Sequence, residues 1–367
     1  MYKNELKALH KSGRFRQRKL FDENLIDLAS NDYLGLAENK NQFRKAIKLV
    51  EKYKTFGPKA SMLVNGYHPI HAKFEKKMAE INGFKKGLIV GSGFLANLSL
   101  VEALARKGDR LFMDEEYHAS GVMAAQLLDD RVVFFKHNDA EDLEKKLEQF
   151  GGKRNIIAVE GVYSMSGEVC SLEIFEIAER KGALLIVDEA HSSGVLGDNL
   201  LGIFDYYDIK IKPNHIKMGT LGKAYGSYGA YILASAEIIS FLENRAKPII
   251  YSTAPSVFDT ALALVNIEHI MKHTKRYCRQ IAVRQTLVQS IMGVNTASLI
   301  VALKQAGNDE VMQSQSGLID EGFLVGAIRQ PTVKQPIIRL IPRLSVSEKS
   351  LRKALEILRE RGSNDLS

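Results

Sequence analysis

Between Lys86 and Ala234 short apolar runs alternate with helical patterns, and no other feature limits the fold as tightly. The strand-like runs are Gly87–Val90, Arg110–Met113, Val132–Phe135, Ile156–Val159, Leu184–Val187, Ile216–Met218 and Ala230–Leu233. Helical patterns lie between several of them, at Leu95–Ala105, Gly121–Leu128, Asp139–Phe150 and Leu172–Lys181. Near-continuous apolar strands must be covered on both faces. The alternation therefore predicts an α/β fold with a mostly parallel central sheet flanked by helices. In such sheets ligands bind beyond the carboxyl ends of the strands.

The pattern changes near Asp259. A long helical stretch is followed by short strands at Ser298–Leu303, Leu324–Ile328 and Ile337–Ile341. A last helix follows Ser345-Val346-Ser347-Glu348, which spells a capping box. This reads as a smaller C-terminal α+β domain. The expected division is an N-terminal helix and segment over 1–45, a large domain over 46–258 and a small domain over 259–367. The stretch Leu25 to Leu36 fits neither the strand nor the helix pattern.

Composition narrows the function classes. The formal charge is +8, which raises a nucleic-acid reading. Basic residues are interleaved with acids, however, as in Glu141-Asp142-Leu143-Glu144-Lys145-Lys146, and the densest cluster, Arg14 to Lys19, is short. A solvated surface explains this better than a nucleic-acid site. No window approaches the roughly 20 apolar residues that span a bilayer. Met1 to Lys7 lacks the apolar core of a signal peptide, and Cys170 and Cys278 have no metal-ligand spacing, so the expectation is a cytoplasmic protein without a metal.

Several strand ends carry residues that could do chemistry. Gly91-Ser92-Gly93-Phe94-Leu95-Ala96-Asn97 follows a strand and opens a helix, as a phosphate loop does, though Ala96 breaks the dinucleotide spacing. His118 follows the next strand and could stack on an aromatic ring or shuttle protons. Ser164 lies in the turn Glu160–Gly167. Asp188 ends the apolar run Ala183–Val187 with His191 three residues on, and a carboxylate there is costly to bury without a cation or donors. Lys223 lies in Thr220-Leu221-Gly222-Lys223-Ala224-Tyr225-Gly226, near small residues. A tight turn, a surface histidine, a structural salt bridge and a loop lysine would explain these motifs singly. Their order argues for one site. A carboxylate that keeps a pyridine nitrogen protonated, an imidazole and an amine are what a pyridoxal 5'-phosphate site requires.

With these residues in place, the chain resembles the α-oxoamine synthases, pyridoxal-phosphate transferases of fold type I. The resemblance rests on Ser30–Leu36, Gly91–Asn97, His118–Ser120, Glu160–Gly167, Val187–Gly194, Thr220–Gly226 and Tyr251–Ala254. It implies Lys223 for the covalent link to the cofactor, Asp188 for the pyridine nitrogen, His118 for ring stacking and His191 for the phenolic oxygen. It implies Gly93, Phe94, Ser164 and Thr220 as further cofactor contacts. Family members are homodimers with shared sites, which would bring Ser252 and Thr253 to the phosphate of the partner subunit's cofactor. His118 and Thr332 match substrate contacts and Arg339 a carboxylate-binding arginine. Arg16 matches an N-terminal substrate arginine, with Arg14 as its rival.

Within the family, Ala327–Val333 and Leu63–His71 are most like the biotin-pathway members. The implied substrates are L-alanine and a pimeloyl thioester of coenzyme A or acyl carrier protein. The alternatives are a family member using glycine or a long-chain acyl donor, and a non-catalytic protein of the same fold.

Overall fold

The computed structural model describes residues 1–364. Its twelve strands are β1 (Ile26–Asp27), β2 (Lys86–Val90), β3 (Arg110–Asp114), β4 (Val132–Phe135), β5 (Asn155–Glu160) and β6 (Leu184–Asp188), then β7 (His215–Thr220), β8 (Ala230–Ala234), β9 (Val301–Lys304), β10 (Phe323–Leu324), β11 (Gly326–Ile328) and β12 (Ile337–Leu340). The chain divides into two compact units. One comprises Leu34–Ser164 and Glu168–Cys278; the other comprises Met1–Tyr33, Met165–Gly167 and the chain from Arg279 onward.

The larger unit holds a seven-stranded sheet in the order β2-β8-β7-β6-β5-β3-β4. Only β8 runs against its neighbours, β2 and β7; the pairings among β3 to β7 are parallel. The other six strands thus end on one edge. The expected mostly parallel sheet is present, and the reason is visible in burial: β8 is buried along its whole length, and β5 and β6 everywhere but their first residues. Their Val, Ile, Leu and Ala side chains pack under helices on both faces, with Leu88, Leu100, Met113, Ile186 and Ile232 in one core cluster.

Polar side chains start several of the helices, each accepting an otherwise unpaired N–H. Ser92 caps Gly93–Leu104 by accepting Leu95 N at 3.2 Å, and His118 caps Ala119–Ala125. The latter helix is shorter than its apolar pattern suggests. It tightens into a 3-10 turn over Gln126–Arg131, where Asp129 takes a left-handed φ of 50°.

The second unit has its own core, including Leu28, Val288, Val301, Leu318, Phe323, Leu340 and Leu355. Here β11, β12 and β9 form an antiparallel sheet, and β1 pairs in parallel with β10. The segment that fits neither sequence pattern therefore contributes a two-residue strand, too short for periodicity to register. Buried Arg343 fixes the chain after it, donating to Asp27 Oδ2 at 2.7 Å and Asp32 Oδ2 at 2.9 Å. The long helix Val257–Met292 bends at His273, whose φ and ψ are −120° and 20°. The final helix starts at Glu348, with Ser347 Oγ accepting Ser350 N at 3.1 Å, so the capping serine is Ser347. Among the described residues no helix is long and apolar enough to cross a membrane.

Candidate active site

The site is built at the carboxyl edge of the larger sheet, where five strand ends deliver polar groups to a cavity of about 180 Å³. Gly93 and Phe94 come from the loop after β2, His118 from the loop after β3 and Glu160 from the end of β5. Asp188 and His191 come from β6 and its turn, and Thr220 and Lys223 from β7 and its turn. Seven of the expected residues thus line one space. Ser164 is buried next to it, its N–H donating to Glu160 Oε2 at 2.9 Å.

Asp188 is 4% exposed. Its Oδ2 accepts Asn97 Nδ2 at 2.9 Å and its Oδ1 accepts Ala190 N at 3.0 Å. No Lys or Arg side chain forms an ion pair with it among the described residues. A buried carboxylate with donors but no cation is a ready partner for a cationic N–H.

Asn97 fixes that carboxylate. Its amide also donates to Ser120 Oγ at 2.9 Å and its oxygen accepts Tyr117 O–H at 2.7 Å. Ser120 Oγ in turn lies 2.7 Å from His118 Nδ1. Burial, and then the charge of Lys223, keep His118 below its ordinary pKa, with Asp188 opposing, so its ring is held neutral. Sequence reasoning missed Asn97. The available signal was an amide side chain on an otherwise apolar helix face, one turn after the glycine loop; in the structure it is 1% exposed.

Lys223 Nζ lies 2.6 Å from His191 Nε2. Its turn is closed by Leu221 N donating to Gly229 O at 2.8 Å and Gly226 N donating to Lys223 O at 2.9 Å. Gly226 in this turn answers to the backbone. Gly226 has φ +55°, and a Cβ there would lie 2.6 Å from Ala37 N. Thr220 Oγ1 donates to Gly229 O at 3.0 Å and accepts Gly222 N at 3.3 Å, which holds the hydroxyl at the cavity wall.

The remaining expected residues do not line this cavity. Ser252 and Thr253 lie between helices Lys247–Ile250 and Val257–Met292, with Thr253 exposed. The others belong to the second unit. There Arg16 Nη2 donates to Thr332 Oγ1 at 2.7 Å, while Arg14 is exposed with no such bond. Arg329 fastens the same N-terminal run, donating to Gly13 O at 3.0 Å and Phe15 O at 3.2 Å. Arg339 is buried on β12 and donates to Asn31 Oδ1 at 2.8 Å. Among the described residues no cluster of His, Cys, Asp or Glu is placed to hold a metal ion.

A family model for class I and II aminotransferases matches residues 23–358. The chain belongs to that family. Within it, its relatives are α-oxoamine synthases. The chain is 44% identical over 344 residues to an 8-amino-7-oxononanoate synthase of Helicobacter pylori (strain ATCC 700392 / 26695), covering 93% of this chain and 92% of that protein. It is 37% identical to the enzyme of that name from Geobacter sulfurreducens (strain ATCC 51573 / DSM 12127 / PCA), covering 86% and 83%. Among solved structures, an 8-amino-7-oxononanoate synthase from Francisella tularensis superposes with a TM-score of 0.78 at 27% identity, covering 94% and 100%. A serine palmitoyltransferase from S. paucimobilis superposes with a TM-score of 0.88 at 22% identity over 98% and 96%, which speaks to the fold.

This α-oxoamine synthase is a pyridoxal-phosphate enzyme of fold type I. The residues present fit that group. Asp188 lacks a cation, an amine stands in the same cavity, and Glu160 Oε1 is a buried oxygen with no hydrogen-bond partner.

Proposed function

We propose that the enzyme joins L-alanine to a pimeloyl thioester with loss of carbon dioxide, forming 8-amino-7-oxononanoate and a free thiol carrier. The single observation that carries the reading is Asp188, a buried carboxylate without a cation, in one cavity with Lys223 and His191. The choice among acyl transfers rests on relatives of that name at 44% and 37% identity.

The bound cofactor supplies an electron sink for the negative charge that develops at the alanine Cα. Lys223 holds it through the ε-amine. Asp188 accepts from the pyridine N–H and keeps that nitrogen cationic, while Asn97 and Ala190 N prevent the carboxylate from turning away. His118, on the cavity wall, would stand against the ring, and its neutral imidazole would add no competing charge. His191, Ser164 and Thr220 serve the phenolic oxygen and phosphate, with Gly93 and Phe94 at the helix entrance. Ser252 and Thr253 act across a homodimer, on the cofactor of the partner subunit.

With alanine in place, the amine of Lys223 would take the Cα proton. Its contact with His191 gives that proton a neighbouring base. Arg339 grips the alanine carboxylate, and Arg16 and Thr332 receive the acyl donor. The alanine Cα then bonds to the thioester carbonyl carbon and the C–S bond breaks, releasing the carrier as its thiolate, which takes a proton from solvent. The former alanine carboxylate departs as carbon dioxide, and a proton returns to Cα from Lys223.

A product-release assay tests the reading by pairing alanine, glycine or serine with acetyl, pimeloyl and palmitoyl thioesters. Alanine with the pimeloyl donor is expected to turn over fastest, and Lys223→Ala to abolish turnover in a folded protein. Preference for glycine or serine, or for a long acyl chain, overturns the substrate assignment. Full turnover by Lys223→Ala overturns the mechanism.

A further inference from the structure

Glu160 is the residue at this site whose role the proposed reaction leaves open. It ends β5 directly opposite Asp188, the two being register partners in adjacent parallel strands. Side chains at paired positions of parallel strands project from the same face, and both of these line the cavity. Glu160 is 1% exposed. A charge on Asp188 raises the cost of charging Glu160 beside it.

Hydrogen bonding decides which one keeps the proton. Asp188 receives an N–H on each oxygen, from Asn97 and from Ala190, an arrangement that favours the carboxylate. Glu160 receives one, from Ser164 on Oε2, while Oε1 is buried with no partner. An ionised oxygen left so would bear its full desolvation cost. A protonated one becomes a donor awaiting an acceptor. Burial, and next the charge of Asp188, push the Glu160 carboxyl well above the usual carboxylate range. Lys223 and the Ser164 N–H pull the other way, and Asp114 adds to the rise. Tyr117 and Tyr163, also close by, are held neutral by their burial, and His118 and His191 line the same cavity.

We propose that Glu160 serves the cofactor as a neutral acid: Oε2 holds the Ser164 turn, and Oε1 carries a proton as a donor to the bound cofactor. The inference rests on this cavity being the cofactor site and does not depend on the acyl donor.

The test uses cofactor-loaded protein without substrate. Two quantities are read: the pH midpoint of the bound cofactor's visible absorption, and the cofactor Kd on rebinding to apoprotein. Glu160→Gln replaces the neutral acid by an amide with the same acceptor and donor. It should leave the midpoint within about 0.3 units and Kd within about threefold. An ionised Glu160 gives a different result, because removing a negative charge near Lys223 would lower the midpoint by about one unit or more. That downward shift overturns the proposal. Glu160→Ala loses both bonds and should weaken cofactor binding about tenfold or more. Wild-type Kd in Glu160→Ala overturns it as well. If circular dichroism shows that Glu160→Ala does not fold, the Glu160→Gln midpoint decides alone. Neither readout involves an acyl donor, so a protein preferring glycine would leave both unchanged. Failure of wild-type protein to bind the cofactor would instead remove the site assignment itself.

Discussion

Asp188 and Glu189 are consecutive carboxylates at the end of β6, both buried, and the protein treats them in opposite ways. Glu189 is satisfied from within. Its oxygens accept Ile203 N at 3.0 and 2.9 Å and the Ser192 hydroxyl, and Lys217 Nζ lies 3.7 Å away. Lys217, 1% exposed, also donates to Asn82 Oδ1 at 2.9 Å and to Leu201 O. Even the backbone makes room, since a Cβ at Gly202 would collide with the Glu189 carboxylate. Asp188 has two donors and no cation. Internal compensation marks a structural charge, and its absence marks a charge kept for a ligand.

The comparison breaks most visibly at Lys217. Burial pulls its amine below the ordinary value, against the opposing charges of Glu189 and Asp205, so the pair holds together by mutual compensation. Lys217→Met would strand Glu189 and is expected to cost about 3–5 kcal/mol of unfolding free energy. Adding Glu189→Gln, which keeps an acceptor for Ile203 N, should recover much of that loss. Urea melts of the single and double variants check this. A single variant as mild as an ordinary surface change would show that the pair does not need its cation.

Asp188→Asn should behave in reverse. The amide keeps the shape and one acceptor, so stability should move by less than about 1 kcal/mol. Turnover should fall roughly a hundredfold, as for a lost charge-assisted bond of ~3 kcal/mol. Unchanged turnover beside a large loss of stability would make Asp188 a second structural carboxylate.

A third strand-end carboxylate, Asp114 on β3, refines the rule. It accepts Tyr163 O–H at 2.7 Å, Glu116 N and Asn138 N at 2.8 Å, and has His137 Nδ1 at 3.0 Å. Burial alone would lower the His137 pKa, but Asp114, Glu168 and Glu116 together override it and raise it to about 9. A folded-state pKa above the ordinary 6.5 gives stability that is complete below pH 6.5 and is lost as pH rises toward 9. After allowance for solvent screening, about 2 kcal/mol is expected at pH 6 relative to His137→Gln, closing to near zero above pH 9. Melting the two proteins across that range tests it. A pH-independent gap would mean His137 contributes by packing alone.

The sequence made some of these sites readable and hid others, for physical reasons. The strands of the large sheet were legible because burial on both faces demands unbroken apolar runs. Asp188, His191, Thr220 and Lys223 were legible because short-range spacing brings them to one edge. Glu160 stood in plain view as the residue before a glycine turn. Its meaning appears only with the β5–β6 register, which periodicity does not supply. Asn97 was similarly visible as the end of a loop motif, while its bond to Asp188 spans 91 residues of chain. The glycines of the Lys223 turn were legible, but the reason one of them is required was not. Gly226 answers to the backbone of Leu36 and Ala37, a contact that no local pattern encodes.

The smallest expected effect lies at the surface, where charge is neither compensated nor buried. Arg14 and Arg18 are exposed on the N-terminal run, and Arg16 between them is engaged by Thr332. The chain carries a net charge of +8, and both candidate acyl carriers are anionic, coenzyme A through phosphates and acyl carrier protein through acidic side chains. Exposed charge steers encounter and is screened by salt, with a Debye length of ~10 Å at 0.1 M. Replacing Arg14 and Arg18 by Glu should therefore raise KM for the thioester by about two- to fivefold at low salt and flatten its salt dependence. KM for alanine should stay level, because a small zwitterion gains little from steering by a distant surface charge. The contrast with Asp188→Asn is the informative part: that variant should lower kcat at any ionic strength, whereas this one should approach wild type as salt is added. Equal responses for both substrates, or a salt-independent KM for the thioester, would make the basic run ordinary solvated surface.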